Sequence, residues 1–179
     1  ICFLYLNDRI SPTSDKTIAH RWIMLSVKKN HLRSLVMAGY MYKWGYGVDK
    51  NDELAFKYHS QAAKKGNGSA QLDVGIAYYE GRGVHKNYNK SYNLLKKAEH
   101  TYSLRQWRTD KYFSISDNLF IHPFEHPTKR LGLAQYYIAL HYWYGDGVKI
   151  NKEKAIYWYR KSSQNGYSLA KEALEIIKY

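Results

Sequence analysis

One short turn recurs along this chain. "WGYGVDK" (residues 44–50), "EGRGVHK" (80–86) and "YGDGVKI" (144–150) each place Gly-x-Gly-Val after a tyrosine-rich apolar run. Gly47 and Gly83 stand 36 residues apart, and Gly83 and Gly147 stand 64 apart, which is 36 plus 28. A period of this length marks a repeat array, in which each unit buries its apolar faces only against the next.

The flanking residues fall into the same register. Tyr42, Tyr78 and Tyr142 precede the turn, with Ala38, Val74 and Ile138 four residues earlier. Ala55, Ser91 and Ala155 follow it, with Tyr58, Leu94 and Trp158 three further on. Another step back of 36 sets Ala19 under Ala55 and Trp22 under Tyr58, so a fourth unit stands at the start, cut short at Ile1. Its turn has decayed to "DRISPTSD".

Each unit reads as two helices. In "SAQLDVGIAYYEG" the apolar residues Leu72, Ile76 and Tyr79 recur at helical spacing, while Ala70, Gly75 and Ala77 stay small enough for close helix approach. Glycine ends this first helix, because it takes the left-handed conformation without a Cβ clash. The valine is expected to tuck into the bend. Asn51, Asn87 and Asn151 are placed to cap the second helix, with Asp15 at the same place in the first unit. Gly66 and Gly166 end two of the second helices, and Asn30 is equivalent to them.

The stretch "AQYYIALHYWYGDGVKINKEKAIYWYRKSSQNG" resembles a Sel1-like repeat, a tetratricopeptide-like helix pair. "SAQLDVGIAYYEGRGVHKNYNKSYNLLKKAEH" and "SLVMAGYMYKWGYGVDKNDELAFKYHSQAAKKG" match the same pattern. The resemblance implies an all-α fold: an α/α solenoid of helix-turn-helix repeats with one insertion. It implies as well a noncatalytic interaction module, since such proteins are mostly adaptors that assemble protein complexes. Some bacterial members resemble immunity proteins that cap a secreted toxin.

The units divide residues 1–179 as a single solenoid domain: a truncated first repeat at 1–33, repeats at 34–68 and 69–102, an insertion at 103–131, a repeat at 132–168, and a C-terminal capping helix at 169–179. Tyr102 occupies the place of Gly66 and Gly166, so the helix before it lacks a stop and is expected to run into "TYSLRQW". The insertion carries Trp107, Tyr112, Phe113, Phe120 and Phe124. These aromatics are either anchors of a binding arm or the core of a degenerate helix pair.

No catalytic signature stands out. "HPFEHP" offers His122, Glu125 and His126 as metal ligands, but Pro123 and Pro127 oppose the helix that would align the two histidines, and a third ligand such as His100 would be required. Cys2, the one cysteine, occupies the small-residue slot of Ala38 and Val74 and reads as packing. "GYGVDK" and "GRGVHK" lack the third glycine of a dinucleotide fingerprint and follow no strand. The chain is therefore expected to carry no catalytic, cofactor or metal site and to be no enzyme.

Charge points outward. The 28 Lys+Arg against 15 Asp+Glu leave +13, which favours an acidic protein partner, such as an effector capped by an inhibitor. Contact with a membrane surface is one alternative, with "KKAEHTYSLRQWRTDKY" as its best candidate stretch; contact with nucleic acid is the other, through lysine and arginine pairs in the second half of each second helix. Those same cations also offset the negative helix end. The groove lined by first helices would offer Met41, Lys43, Gln71, Asp73, Gln135, Tyr137 and His141. Tyr137 and His141 join the five insertion aromatics as candidate partner-binding residues. The truncated first repeat leaves an edge through which two copies could pair. No apolar run reaches the length of a membrane span. Cytoplasm and bacterial periplasm are both compatible with this sequence.

Overall fold

A computed structural model describes residues 16–109 and 127–177. Among the described residues eight helices occur: α1 (Lys16–Lys28), α2 (Leu32–Trp44), α3 (Asp52–Lys64), α4 (Gly68–Glu80), α5 (Tyr88–Thr109), α6 (Pro127–Tyr144), α7 (Lys152–Gln164) and α8 (Ser168–Ile177). No strand occurs among the described residues. Packing runs chiefly between helices adjacent in sequence, and the core is divided accordingly. Leu35, Tyr40 and Val74 belong to one cluster, Leu72, Leu95 and Ile138 to the next, and Ala139, Tyr159 and Ala170 to the last. This is the all-α solenoid that the 36-residue period predicts.

The repeated turn holds each helix pair together. Its first glycine adopts the left-handed conformation and caps the first helix: the Gly81 amide donates to the Ala77 carbonyl at 2.8 Å, and Gly145 does the same to His141 at 2.9 Å. The asparagine then returns the chain. Its amide donates back to the register tyrosine, Asn51 to Tyr42, Asn87 to Tyr78 and Asn151 to Tyr142, each at 2.9 Å. Its side chain accepts from the amide three residues on, Leu54, Lys90 and Lys154 respectively, which opens the second helix. Asn30, at φ 57°, stands in the same left-handed conformation as Gly66 and Gly166.

The second glycine has a role that helix termination does not explain. A Cβ on Gly47 would run into Lys16, one on Gly83 into Asp52, and one on Gly147 into Tyr88 and Asn89. Lys16, Asp52 and Tyr88 are the first residues of α1, α3 and α5. Each turn therefore seats its second glycine on the start of the second helix of the unit before it. The absence of a side chain sets the repeat-to-repeat spacing.

Two helices exceed the 13 residues of α1 to α4 and of α7: α5 has 22 and α6 has 18. The chain passes Tyr102, which is buried, and stays helical to Thr109. The next helix opens at Pro127, a residue suited to a first helical position. The ends of the 103–131 segment are thus turns added to α5 and α6.

Candidate interaction surface

The added turn of α6 brings a guanidinium into the interior. Arg130 is buried, and its Nη2 lies 2.7 Å from Asp73 Oδ2 on α4. The Tyr40 hydroxyl donates to the same oxygen at 2.9 Å, and Lys43 Nζ donates to Oδ1 at 2.6 Å. Arg130 Nε donates to Tyr102 Oη at 3.0 Å, its Nη2 also donates to the Ser69 carbonyl, and Ser69 Oγ and Tyr102 Oη are hydrogen-bonded at 2.8 Å. One carboxylate thus gathers groups from α2 and α6, and Arg130 extends the network to α5. Tyr102 and Arg130, inside or at the rim of the inserted segment, are tied to each other.

Electrostatics follow from that geometry. Burial alone would raise the Asp73 carboxyl, but the Arg130 guanidinium and then the Lys43 ammonium hold it well below the usual carboxylate range. The Tyr40 hydroxyl moves the other way, raised by burial and by the neighbouring Asp73 charge. Asp73 stays ionised with its oxygens occupied, which suits a structural anchor rather than a general base. The cleft beside it, between Lys43, Phe56, His59 and Arg82, encloses about 30 Å³, room for about two water molecules and not for a substrate.

The open groove expected along the first helices is not there. Met41, Gln71, Asp73, Gln135 and His141 are buried, and nine consecutive residues of α4, Gly68 to Ile76, are covered. α4 is covered chiefly by its sequence neighbours α3 and α5, and Tyr102 and Arg130 turn its Ser69 and Asp73 inward. His141 is fully buried between two units. Its Nδ1–H donates to the Asp146 carbonyl at 2.5 Å, so Nε2 accepts from Ser91 Oγ at 3.0 Å. Burial lowers its pKa, with the Asp146 carbonyl opposing that shift more weakly. Tyr137 is half-buried; its hydroxyl donates to Glu80, and its ring stands edge-on to Tyr79 at 5.4 Å. Burial and then the Glu80 bond raise its pKa. Trp107 falls within α5, while Tyr112, Phe113, Phe120 and Phe124 lie outside the described residues, as do His122, Glu125, His126 and Cys2. Among the described residues no cluster of three His, Cys, Asp or Glu could hold a metal ion, and no helix is long and apolar enough to cross a membrane.

What the structure does expose is an edge formed by the turns. Trp44 (59% exposed) and Tyr144 (62%) close α2 and α6 at equivalent positions. Lys43 Nζ lies 5.1 Å from the Trp44 ring centre, and Lys152 Nζ lies 3.7 Å from that of Trp143 while donating to the Trp143 carbonyl. Between them the edge is braced by the Tyr79 hydroxyl, which donates to Asp146 at 3.0 Å, and by the Arg82–Glu80 pair at 2.5 Å. Sequence reading passed over Trp44 and Tyr144. The signal for them was present: each is a large aromatic next to a turn glycine, where no helix can cover it.

Comparison with known proteins agrees with the helix pairs. The Sel1 repeat family model matches residues 32–67, 68–99 and 132–167. A Schizosaccharomyces pombe protein described as a candidate component of an ERAD-associated E3 ubiquitin-protein ligase is 39% identical over 64 residues, which is 33% of this chain and 9% of that protein. The chain thus spans about a tenth of that relative's length. The crystal structure of a Sel1 repeat protein from Oxalobacter formigenes superposes with a TM-score of 0.56 over 97% of this chain and 72% of the other, at 23% identity, a likeness of fold. The structure of c5321, a protective antigen of uropathogenic Escherichia coli strains, gives 0.54 over 92% of this chain and 37% of its own, at 29% identity. Three matched units cover more than half of the 179 residues and coincide with the observed helix pairs, so the chain belongs to the Sel1 repeat family.

Proposed function

We propose that this chain is a noncatalytic adaptor that holds a protein partner along its turn edge. Sel1 repeats generally mediate protein–protein interaction, and their fold is typically a noncatalytic scaffold. The observation that carries the proposal for this chain is the pair Trp44 and Tyr144, two large aromatics left exposed at equivalent places in two units. Exposed Trp and Tyr anchor interfaces well, because they bury much area while ordering few rotors. The buried network around Asp73 supports the reading from the other side, since it spends the polar groups of α4 on rigidity. The +13 net charge favours an acidic partner. A narrower form of the proposal is an inhibitor that caps an acidic effector. The description of the S. pombe relative as a candidate part of a ligase complex fits the adaptor form.

The test is affinity capture at moderate salt with wild type and a Trp44→Ala, Tyr144→Ala double variant. One acidic protein retained by wild type and lost by the variant supports the proposal. Retention of mixed RNA alone, released steeply between low and physiological salt, overturns it.

A further inference from the structure

The second helices carry cations in a recurring pattern that the fold uses only in part, where they offset helix ends. Arg21 and Lys28 on α1 stand seven residues apart, as do Lys57 and Lys64 on α3, Lys90 and Lys97 on α5, and Lys154 and Lys161 on α7. Seven residues are two helical turns, so the members of each pair share one face about 10 Å apart. The first two pairs occupy one register of the repeat and the last two a register three residues earlier. Seven of the eight side chains are exposed and Lys161 is half-exposed. None of the windows 21–28, 57–64, 90–97 and 154–161 contains an acidic residue. The acids on these helices lie elsewhere: Asp52, Glu53 and Glu153 in first turns, and Glu99 bonded to Ser103 and Gln135.

The stripes also hold large apolar side chains in the open. Leu25 (54% exposed) lies between Arg21 and Lys28, and Tyr157 (51%) lies between Lys154 and Lys161. Leu104 (54%) continues the α5 stripe seven residues past Lys97. Four of the cations rest on rings: Lys57 over Tyr58, Lys90 over Tyr78, Lys154 over Tyr142 and Lys161 over Tyr157, at 5.0 to 5.8 Å from the centroid. Such stacking holds lysine stems down and presents their ammonium groups without further ordering.

We propose that the outward face of the second helices docks on an anionic lipid surface. A single acidic helix would meet one stripe, whereas a lipid surface or a nucleic-acid strand offers charge to all four units, and the apolar side chains in the stripes separate those two. Exposed leucines in line with cations enter the headgroup boundary, while phosphates and bases give them no role. The rings under the lysines already carry a cation and are not open platforms for base stacking. The stripes share no residue with the turn edge, so the inference does not rest on Trp44 and Tyr144 binding a protein.

Co-sedimentation with vesicles tests it, using phosphatidylcholine alone and phosphatidylcholine with about 30% phosphatidylserine. Wild type should pellet with the anionic vesicles only, and release as salt rises. Each cation near such a surface contributes about fivefold, so Lys57→Gln, Lys64→Gln, Lys90→Gln and Lys97→Gln together should lower partitioning by more than about a hundredfold with unchanged far-UV circular dichroism. Should that variant misfold, the four single substitutions must each weaken binding severalfold. Leu25→Ser with Leu104→Ser should weaken the binding that survives at high salt. Equal binding to neutral vesicles, undiminished binding of the well-folded charge variants, or retention of polyuridylate without vesicle binding would each overturn the proposal.

Discussion

Asp73 and Arg130 meet at 2.7 Å across 57 residues of chain, both buried. The pair clamps α4 to the turn that α6 gains from the insertion. Asp73→Leu leaves the buried Arg130 guanidinium without the Asp73 charge, and breaking a buried pair in this way costs about 3–5 kcal/mol, the loss expected in urea denaturation. Arg130→Met should cost less, because Lys43 stays on Asp73 Oδ1. Asp73→Leu with Arg130→Met should cost less than the sum of the two single changes, because both buried charges of the pair are then gone. Additive costs would show that the two side chains contribute independently.

The same groups set the pH range of the fold. The folded Asp73 carboxyl titrates below its ordinary 3.8, so its contribution is present above that value and is lost as pH falls further. His141 also has a lowered pKa, so its contribution is present above 6.5 and declines as pH drops below it. Tyr40, Tyr79 and Tyr137 are raised above their ordinary 10.0 and act in the opposite sense: their stabilisation is present below 10 and is lost above it. Thermal midpoints from pH 2 to 12 should decline in two acid steps, the first beginning near 6.5 and the second near 3.8, with one alkaline limb beginning near 10. A flat profile between 7 and 4 would remove His141 from this account.

These residues show which parts of the fold were legible in the sequence. The turn, the asparagine cap and the register tyrosines were readable because the backbone bonds that close each turn lie within about ten residues and recur in each unit. Asp73 was not. Its register position holds Met37 and Tyr137 in the neighbouring units, so its charge read as a free groove residue. Only the approach of Arg130, from beyond a break in the period, turns it inward. A repeat pattern predicts contacts between equivalent positions, and the insertion introduces one that has no equivalent.

The two kinds of turn glycine should respond differently to substitution. A Cβ at Gly66 meets nothing within 4 Å, so Gly66→Ala carries only the strain of a left-handed alanine, about 1–2 kcal/mol. Gly83 has the same strain and in addition a backbone contact with Asp52 that has no flexible end to give way. Gly83→Ala should cost clearly more than Gly66→Ala in urea denaturation. Equal costs would mean that the turns do not set the spacing between units.

Ser91 and His141 meet at repeat positions that hold Ala19 and Met41 two units earlier and Ala55 and Ala77 one unit earlier, each a second-helix residue and a first-helix residue of the next unit. Alanine at position 91 is therefore sterically acceptable, and Ser91→Ala isolates the loss of the donor to His141 Nε2. A buried acceptor left without a partner costs about 1–3 kcal/mol. Adding His141→Met supplies the apolar residues that stand at the equivalent positions Ala19 and Met41, both buried. The double variant should return to within about 1 kcal/mol of wild type, and its stability decline near pH 6.5 should shrink with the histidine gone. A double variant less stable than Ser91→Ala alone would show instead that the His141 bond to the Asp146 carbonyl, which closes the third turn, matters more than the contact between units.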